Sequence, residues 1–143
     1  MPTRGRILAI DPGERRIGVA GADLGLRVAI PLTTIDGGHD AVEAVARLVE
    51  EEGARALVVG LPLSLSGALG LQAQRAQALA EALADRFSIP VLTWDERLTS
   101  AEARRRLSSG GGGRRRDKRD VDALAAAIIL QAYLDSQRQS APG

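Results

Sequence analysis

The pattern of apolar and polar positions predicts strands in the first part of the chain. Short runs rich in β-branched residues stand on both sides of an Asp-Pro-Gly turn, and a third run follows them. Such a series is typical of a three-strand meander. The predicted strands cover residues 6–11, 16–22 and 28–35. Valines then recur at helical spacing, which predicts a helix over residues 40–52 that ends at Gly53.

The rest of the chain predicts alternating strands and helices. The run ALVVG at residues 56–60 is continuously apolar, as in a strand that is buried on both faces of a sheet. It is followed by a predicted loop over 62–71, a helix over 72–87, and a strand over 90–93 that ends on Trp94-Asp95-Glu96. Thr99 and Glu102 have the spacing of a capping box, which predicts a helix over residues 100–107. The strongly apolar residues 120–134 predict the last helix.

This order of elements predicts an α/β fold. Three strands followed by alternating helices and strands give a five-stranded mixed sheet, a meander continued by α/β units and flanked by helices. The order, with an acidic residue closing the first strand, resembles that of the ribonuclease H-like folds. We expect one such domain over residues 1–137 and a disordered tail over residues 138–143.

Composition is that of a water-soluble protein. With 143 residues, 45% of them hydrophobic, the chain has enough apolar side chains for one core. It has no cysteine, so disulfides and thiolate zinc sites are excluded and a cytoplasmic location is expected. No signal-peptide pattern opens the sequence, and Pro62 and several glycines interrupt its longest uncharged run, so no membrane association is expected. The few aromatic residues disfavour binding of nucleic acid by base stacking.

Positive charge is concentrated in residues 104–119. Eight basic residues and one aspartate give this segment a net charge of +7, although the whole chain carries only +1. Guanidinium groups pair with phosphate oxygens, so the segment is a candidate phosphate-binding surface. The alternative is a solvated charge run in an arginine-rich sequence. Four consecutive glycines lie inside it, but no Gly-Lys-Ser/Thr follows, so it is not a P-loop.

Acidic residues stand at the ends of three apolar segments. They are Asp11 after the first strand, Asp95-Glu96 after the last strand, and Asp122 near the start of the final helix. Each alone is explained by a turn, a strand end or the helix dipole. Together they are hard oxygen ligands of the kind that Mg²⁺ or Mn²⁺ prefers, and two such ions catalyse phosphodiester cleavage. The three would meet if the parallel first and last strands lie near each other in the sheet.

Four segments resemble a known family. They read IDPGERRIGVA, VVGLPLSLSG, WDERLTSAEA and VDALAAAIILQAYL, in this order across residues 7–134. In this order and spacing they are similar to the YqgF/RuvX-type family, described as Holliday junction resolvases and as nucleases that mature the precursor of 16S ribosomal RNA. The resemblance implies a ribonuclease H-like fold and a nuclease site that uses Mg²⁺ or Mn²⁺, with two ions expected.

The same resemblance implies roles for individual residues. It places the catalytic, metal-binding carboxylates at Asp11, Glu96 and Asp122. Neighbours in a strand point to opposite sides, so Asp95 and Glu96 compete for the metal position, and we expect Glu96 to occupy it. The expected nucleic-acid contacts are Arg16 and Arg97 within the motifs and, from the basic segment, Arg114, Arg115, Arg116, Lys118 and Arg119.

Several functions stay open at this point. A nuclease would act either on branched DNA, in recombination and repair, or on the 5′ end of precursor 16S rRNA, in ribosome biogenesis. A non-catalytic module that retains the fold would bind nucleic acid without cutting it. An actin-like phosphotransferase begins with a similar strand and turn, but it requires two such domains. A homodimer is also left open, because symmetric cutting of a four-way junction needs two sites.

Overall fold

The computed structural model has a central mixed sheet with helices on both faces. It describes residues 4–38, 40–64, 66–99 and 118–140, with side chains in the last of these segments described for residues 121–137. The strands are β1 Arg6–Pro12, β2 Arg16–Asp23, β3 Ala29–Asp36, β4 Ala54–Leu61 and β5 Val91–Asp95. The helices are α1 Ala41–Glu52, α2 Leu71–Arg86 and α3 Lys118–Ser140, and a single 3₁₀ turn covers Glu96–Leu98.

Strand order explains how distant segments reach one edge. Within the described residues the sheet has five strands in the order β3-β2-β1-β4-β5. The first three strands pair antiparallel, and β4 pairs parallel with both β1 and β5. The predicted meander and the alternation that follows it are confirmed. The first and last strands, however, are not direct neighbours, because β4 lies between them.

Two apolar layers form because alternate residues of each central strand face opposite sides of the sheet. In β1, Ile7 and Ala9 pack towards α3, whereas Leu8 and Ile10 pack in the layer that includes residues of α1 and α2. All four side chains are fully buried. This two-sided burial is why β1 and β4 read as continuous apolar runs in the sequence.

Helix boundaries differ from the predicted ones mainly at α3. That helix begins at Lys118 and reaches Ser140, so it enters the segment predicted as a tail. The helix predicted over 100–107 and the glycine run 110–113 lie outside the described residues. No helix within the described part of the chain combines the length and the apolarity that a membrane crossing requires.

α3 lies directly on β2 at Gly18. A Cβ atom at this position would stand 2.5 Å from the carbonyl carbon of Asp122 and 3.1 Å from the backbone nitrogen of Ala123, and it would collide with the Asp122 carbonyl oxygen. Only glycine therefore permits this approach between helix and strand. The approach also fixes the position of Asp122 above the β1–β2 hairpin.

We expect Gly18→Ala to destabilise the protein strongly, because the new methyl group meets backbone atoms that cannot rotate away. The free energy of unfolding should fall by about 2–4 kcal/mol, measured by urea denaturation. Gly38→Ala is the matched control, since a Cβ atom there meets nothing within 4 Å. It should change stability by less than about 0.5 kcal/mol. Equal effects of the two substitutions would contradict the close approach of α3 to β2.

Candidate active site

Asp11 lies at the end of β1, where the chain turns into β2. The turn is closed by a hydrogen bond from the Gly13 backbone N–H to the Arg16 carbonyl oxygen, 2.9 Å long, and Asp11 pairs with Gly18 across the hairpin. The carboxyl group is largely shielded from solvent. This burial, together with the nearby charge of Asp122, raises the pKa of Asp11 to about 6. An acidic group in such surroundings is a candidate for cation binding.

Asp122 projects from α3 towards the start of β2. Its Oδ2 atom accepts a hydrogen bond from Arg16 Nε at 2.7 Å, and the two side chains are 31% and 35% exposed. The charge of Asp122 also contributes to the raised pKa of Asp11, so the two carboxylates share one electrostatic environment. Arg16, which the sequence predicts to contact nucleic acid, thus has a partner inside the protein, and its contact with nucleic acid stays a prediction.

Asp95 and Glu96 have different surroundings despite their adjacency. The Asp95 carboxylate accepts hydrogen bonds from the Arg97 backbone N–H at 3.0 Å and from the Arg97 guanidinium at 2.6 Å. The guanidinium hydrogen bond is the main reason that the pKa of Asp95 lies below its usual value. The carboxylate of Glu96, which begins the 3₁₀ turn, instead lies over Gly60 of β4. Asp95 therefore holds Arg97, and Glu96 faces the strand next to Asp11.

Gly60 lies in β4, the strand between β1 with Asp11 and β5, and contacts the Glu96 carboxylate. In the register of the sheet, Gly60 pairs with Trp94 of β5, and the preceding residue, Val59, pairs with Ile10 of β1. A Cβ atom at Gly60 would stand 3.4 Å from the Glu96 carboxylate and 2.9 Å from the Ile129 side chain. Sequence reasoning missed the roles of Gly60 and of Gly18. The signal was a glycine interrupting an apolar strand, which often marks a close backbone approach.

An aromatic contact ties the end of β5 to α3. The rings of Trp94 and Tyr133 meet edge to face, with centroids 5.9 Å apart, and Trp94 Nε1 donates a 3.4 Å hydrogen bond to Thr99 Oγ1. A cleft of about 110 Å³ lies beside this contact, lined by Glu96, Thr99, Ala125, Ile128 and Ile129. The contact holds the backbone of the 3₁₀ turn against the helix that carries Asp122.

The three predicted carboxylates reach one edge of the sheet but do not form a closed ligand set. The charge of Asp122 contributes to the raised pKa of Asp11, and the Glu96 carboxylate lies over Gly60 of β4, the strand beside β1. Among the residues that the structure describes, no three acidic or histidine side chains are close enough to hold a metal ion together. Their oxygen atoms are nevertheless the donor type that Mg²⁺ and Mn²⁺ require. The donor chemistry fits a hard cation, and the side chains would have to move to complete the site.

The predicted basic contacts are only partly visible. Arg97 is engaged by Asp95 and lies near Gly67 in the loop before α2. Lys118 and Arg119 begin the helix that carries Asp122, although their side chains are not described. The remaining predicted contacts lie outside the described residues, namely Arg114, Arg115 and Arg116.

The described fold matches that of a structurally characterised nucleic-acid-binding protein. A structure of Thermus thermophilus RuvC superposes with a TM-score of 0.59. A second structure, described as "T. thermophilus RuvC in complex with Holliday junction substrate", gives a TM-score of 0.61, and the match covers 94% of this chain and 96% of that one. At 16% sequence identity this likeness shows the fold alone. The protein is an α/β protein with a ribonuclease H-like fold, as the sequence predicts.

Sequence comparisons then identify the family. Residues 5–136 match the family model described as "RuvX: Holliday junction resolvase". A "Putative pre-16S rRNA nuclease" of Chloroflexus aurantiacus is 46% identical over 136 residues, which cover 94% of this chain and 89% of the relative. A protein of the same description from Thermoanaerobacter pseudethanolicus is 41% identical, with 93% and 98% covered. The chain belongs to the RuvX family, which confirms the resemblance seen in its four motifs.

Because the pKa of Asp11 is raised in the folded protein, this carboxyl group should lower the free energy of unfolding to an extent that depends on pH. Folding raises this pKa from 3.8 to about 6, so the folded protein holds the proton more tightly and stability falls as pH rises through this range. Asn cannot ionise, so Asp11→Asn should be more stable than the wild type at pH 7.5. The difference between their free energies of unfolding is at most ~3 kcal/mol, and solvent screening reduces it. This difference should shrink as pH falls from about 6 to about 4, because Asp11 then becomes protonated in the wild type.

Urea denaturation of both proteins in EDTA across this pH range measures the effect. EDTA is needed because a bound cation would compensate the charge of Asp11. A stability difference that stays constant from pH 4 to pH 7.5 would contradict the raised pKa.

Proposed function

We propose that this protein is a divalent-metal-dependent nuclease that hydrolyses phosphodiester bonds of structured RNA, with precursor 16S rRNA as its substrate. The observation that carries the proposal is the convergence of Asp11, Asp122 and Glu96 at one edge of a ribonuclease H-like sheet. The choice of RNA is supported by the description of relatives that are 38–48% identical over nearly the whole chain. A non-catalytic module would gain nothing from placing two carboxylates so that the charge of one raises the pKa of the other.

The three carboxylates would hold Mg²⁺ or Mn²⁺, and two ions are expected. When bound, the metal supplies Lewis-acid activation of water and neutralises charge at the phosphate. Asp11 lies at the centre of the arrangement, with Asp122 above the hairpin and Glu96 across Gly60. With a pKa of about 6, Asp11 is ionised at neutral pH, so the protein offers a charged ligand under physiological conditions. Below pH 6 protons compete for this carboxylate.

The proposed substrate surface is the basic rim of the same edge. Lys118 and Arg119 start α3 four and three residues before Asp122, and Arg97 stands one residue after Glu96. The predicted contacts Arg114, Arg115 and Arg116 precede them in the sequence. Such groups bind phosphates and read the shape of the backbone, not its base sequence. They suit a folded or branched polyanion better than a defined sequence.

A four-way DNA junction is the second candidate substrate, because the family model carries the description of a Holliday junction resolvase. Cutting such a junction symmetrically would require two active sites, and therefore a homodimer or two successive binding events. Cleavage of an RNA precursor at its 5′ end requires only one site. A homodimer under assay conditions would favour the junction, and the cleavage assay decides between the two substrates.

The test is a cleavage assay with labelled precursor 16S rRNA leader, four-way DNA junction and linear duplex, each in Mn²⁺, Mg²⁺ or EDTA. We expect metal-dependent cutting of the RNA leader, no cutting in EDTA, and slower or no cutting of the linear duplex. Preferred cutting of the junction would indicate that the substrate is branched DNA and not RNA. Binding of either substrate without cutting under all metal conditions would identify a non-catalytic module and contradict the proposal.

Substitution of single carboxylates should show that the three proposed metal ligands are needed for cleavage and that Asp95 is not. Asp11→Asn, Glu96→Gln and Asp122→Asn each remove one charged ligand, so each should slow cleavage at least about 100-fold. Asp95→Asn is the matched control, because Asp95 adjoins Glu96 but is engaged by Arg97. It should slow cleavage less than about tenfold. Loss of activity in Asp95→Asn with activity kept in Glu96→Gln would reverse the assignment of these two residues.

A further inference from the structure

Arg16 forms an ion pair with a proposed catalytic carboxylate. The residue begins β2, and its Nε atom donates to Asp122 Oδ2 across 106 positions of the sequence. Both side chains are about one-third exposed, so the pair lies at the mouth of the site and not in the core. A guanidinium at this distance from a carboxylate supplies a full positive charge where the proposed cation would act.

Arg16 joins the two elements that carry the aspartates. It begins β2, and Asp11 pairs with Gly18 of the same hairpin, whereas Asp122 belongs to α3. α3 lies directly on Gly18 at Asp122, so both aspartates belong to one corner of the fold. Like charges at one place repel, and the guanidinium of Arg16 offsets the charge of Asp122 from the hairpin that carries Asp11.

The backbone at the same place is fixed independently. Gly18 lies directly under Asp122 and Ala123, so the helix cannot shift towards or away from β2 without losing this contact. A change of partner at Asp122 then requires only rotation of the side chain. The arrangement permits exchange of the partner of Asp122 while α3 stays docked.

We propose that Arg16 is a positioning residue that acts as the internal counter-ion of Asp122 in the metal-free protein and is displaced from it when the site binds its divalent cation. The inference rests on the proposed function, because it assigns that cation to the same carboxylates. Arg16 and the cation compete for Asp122. Arg16 consequently stabilises the empty site and weakens its affinity for the metal.

Titration calorimetry with Mn²⁺ at constant ionic strength tests this competition on the full chain. Arg16→Met removes the counter-ion and should tighten Mn²⁺ binding by on the order of tenfold, the effect of one unit charge a few ångströms from a divalent ion in a water-like dielectric. Arg15→Met is the matched control, because this exposed neighbour carries the same charge one position earlier. It should change the affinity by less than about threefold, since exposed charges are screened.

Thermal unfolding gives a second readout that does not depend on catalysis. In EDTA, Arg16→Met should melt roughly 2–5 °C below the wild type, because the repulsion between Asp11 and Asp122 is no longer compensated. Saturating Mn²⁺ should raise its melting temperature more than that of the wild type. A merely structural ion pair would lower the melting temperature equally with and without Mn²⁺, and that result would overturn the proposal.

Asp11→Asn distinguishes failure of this inference from failure of the proposed function. If Asp11→Asn weakens Mn²⁺ binding but Arg16→Met does not tighten it, the counter-ion role alone is overturned. If Mn²⁺ binding does not depend on Asp11, the proposed metal site is wrong, and the role of Arg16 falls with it. Where Arg16→Met does not fold, Arg16→Gln decides, since glutamine is polar and removes the charge. It should also tighten Mn²⁺ binding by on the order of tenfold, and binding no tighter than the wild type overturns the proposal.

Discussion

The approach of α3 to β2 at Gly18 is the constraint on which the candidate site depends. Because no side chain separates the two backbones, Asp122 lies directly above the hairpin that carries Asp11. The same approach lets Arg16 reach Asp122 and lets small residues of α3 pack against the sheet, namely Ala123, Ala126 and Ala127. A larger residue at position 18 would separate the carboxylates and loosen the core together. Gly18 therefore determines both the packing of α3 on the sheet and the position of Asp122 in the candidate site.

The site concentrates unfavourable electrostatics in an otherwise well-packed protein. Burial and the charge of Asp122 both oppose ionisation of Asp11, and Arg16 compensates only part of this charge. Two fully buried apolar layers on either side of β1 and β4 supply the stability that offsets this cost. Strain of this kind is common where a protein binds a cation, because the same charges that destabilise the empty site attract the ion. Stability and cation affinity are therefore expected to change in opposite directions at Arg16.

Sequence patterns were sufficient to predict the strands and helices but not the order of the strands in the sheet. Periodicity located the meander, the buried strand β4 and the apolar helix α3, because each follows from burial of one or two faces. The Asp-Pro-Gly motif placed Asp11 at a turn, as the structure shows. Periodicity does not specify which parallel strands are neighbours, so the insertion of β4 between β1 and β5 was not foreseen. The contact of Glu96 with Gly60 follows from that insertion and was missed with it.

Besides the strand order, the sequence could not predict contacts between residues that are far apart in the chain. Arg16 looks like a phosphate ligand when read beside its neighbours, because its partner is 106 residues away. Asp95 and Glu96 look equivalent in the sequence, whereas in the structure the Asp95 carboxylate accepts hydrogen bonds from Arg97. Resemblance to the family supplied the candidate carboxylates, and the register of the sheet supplied the reason that they converge.

Anomalous diffraction from crystals of the protein soaked in Mn²⁺ tests the proposed metal site most directly. It locates the cation without reference to substrate or turnover. We expect an anomalous peak bonded to Asp11, with Asp122 and Glu96 turned towards it and the Arg16–Asp122 ion pair broken. Crystals that bind Mn²⁺ elsewhere, or that leave Asp11 without a peak at saturating Mn²⁺, would contradict the assignment of this edge of the sheet as a metal-dependent nuclease site.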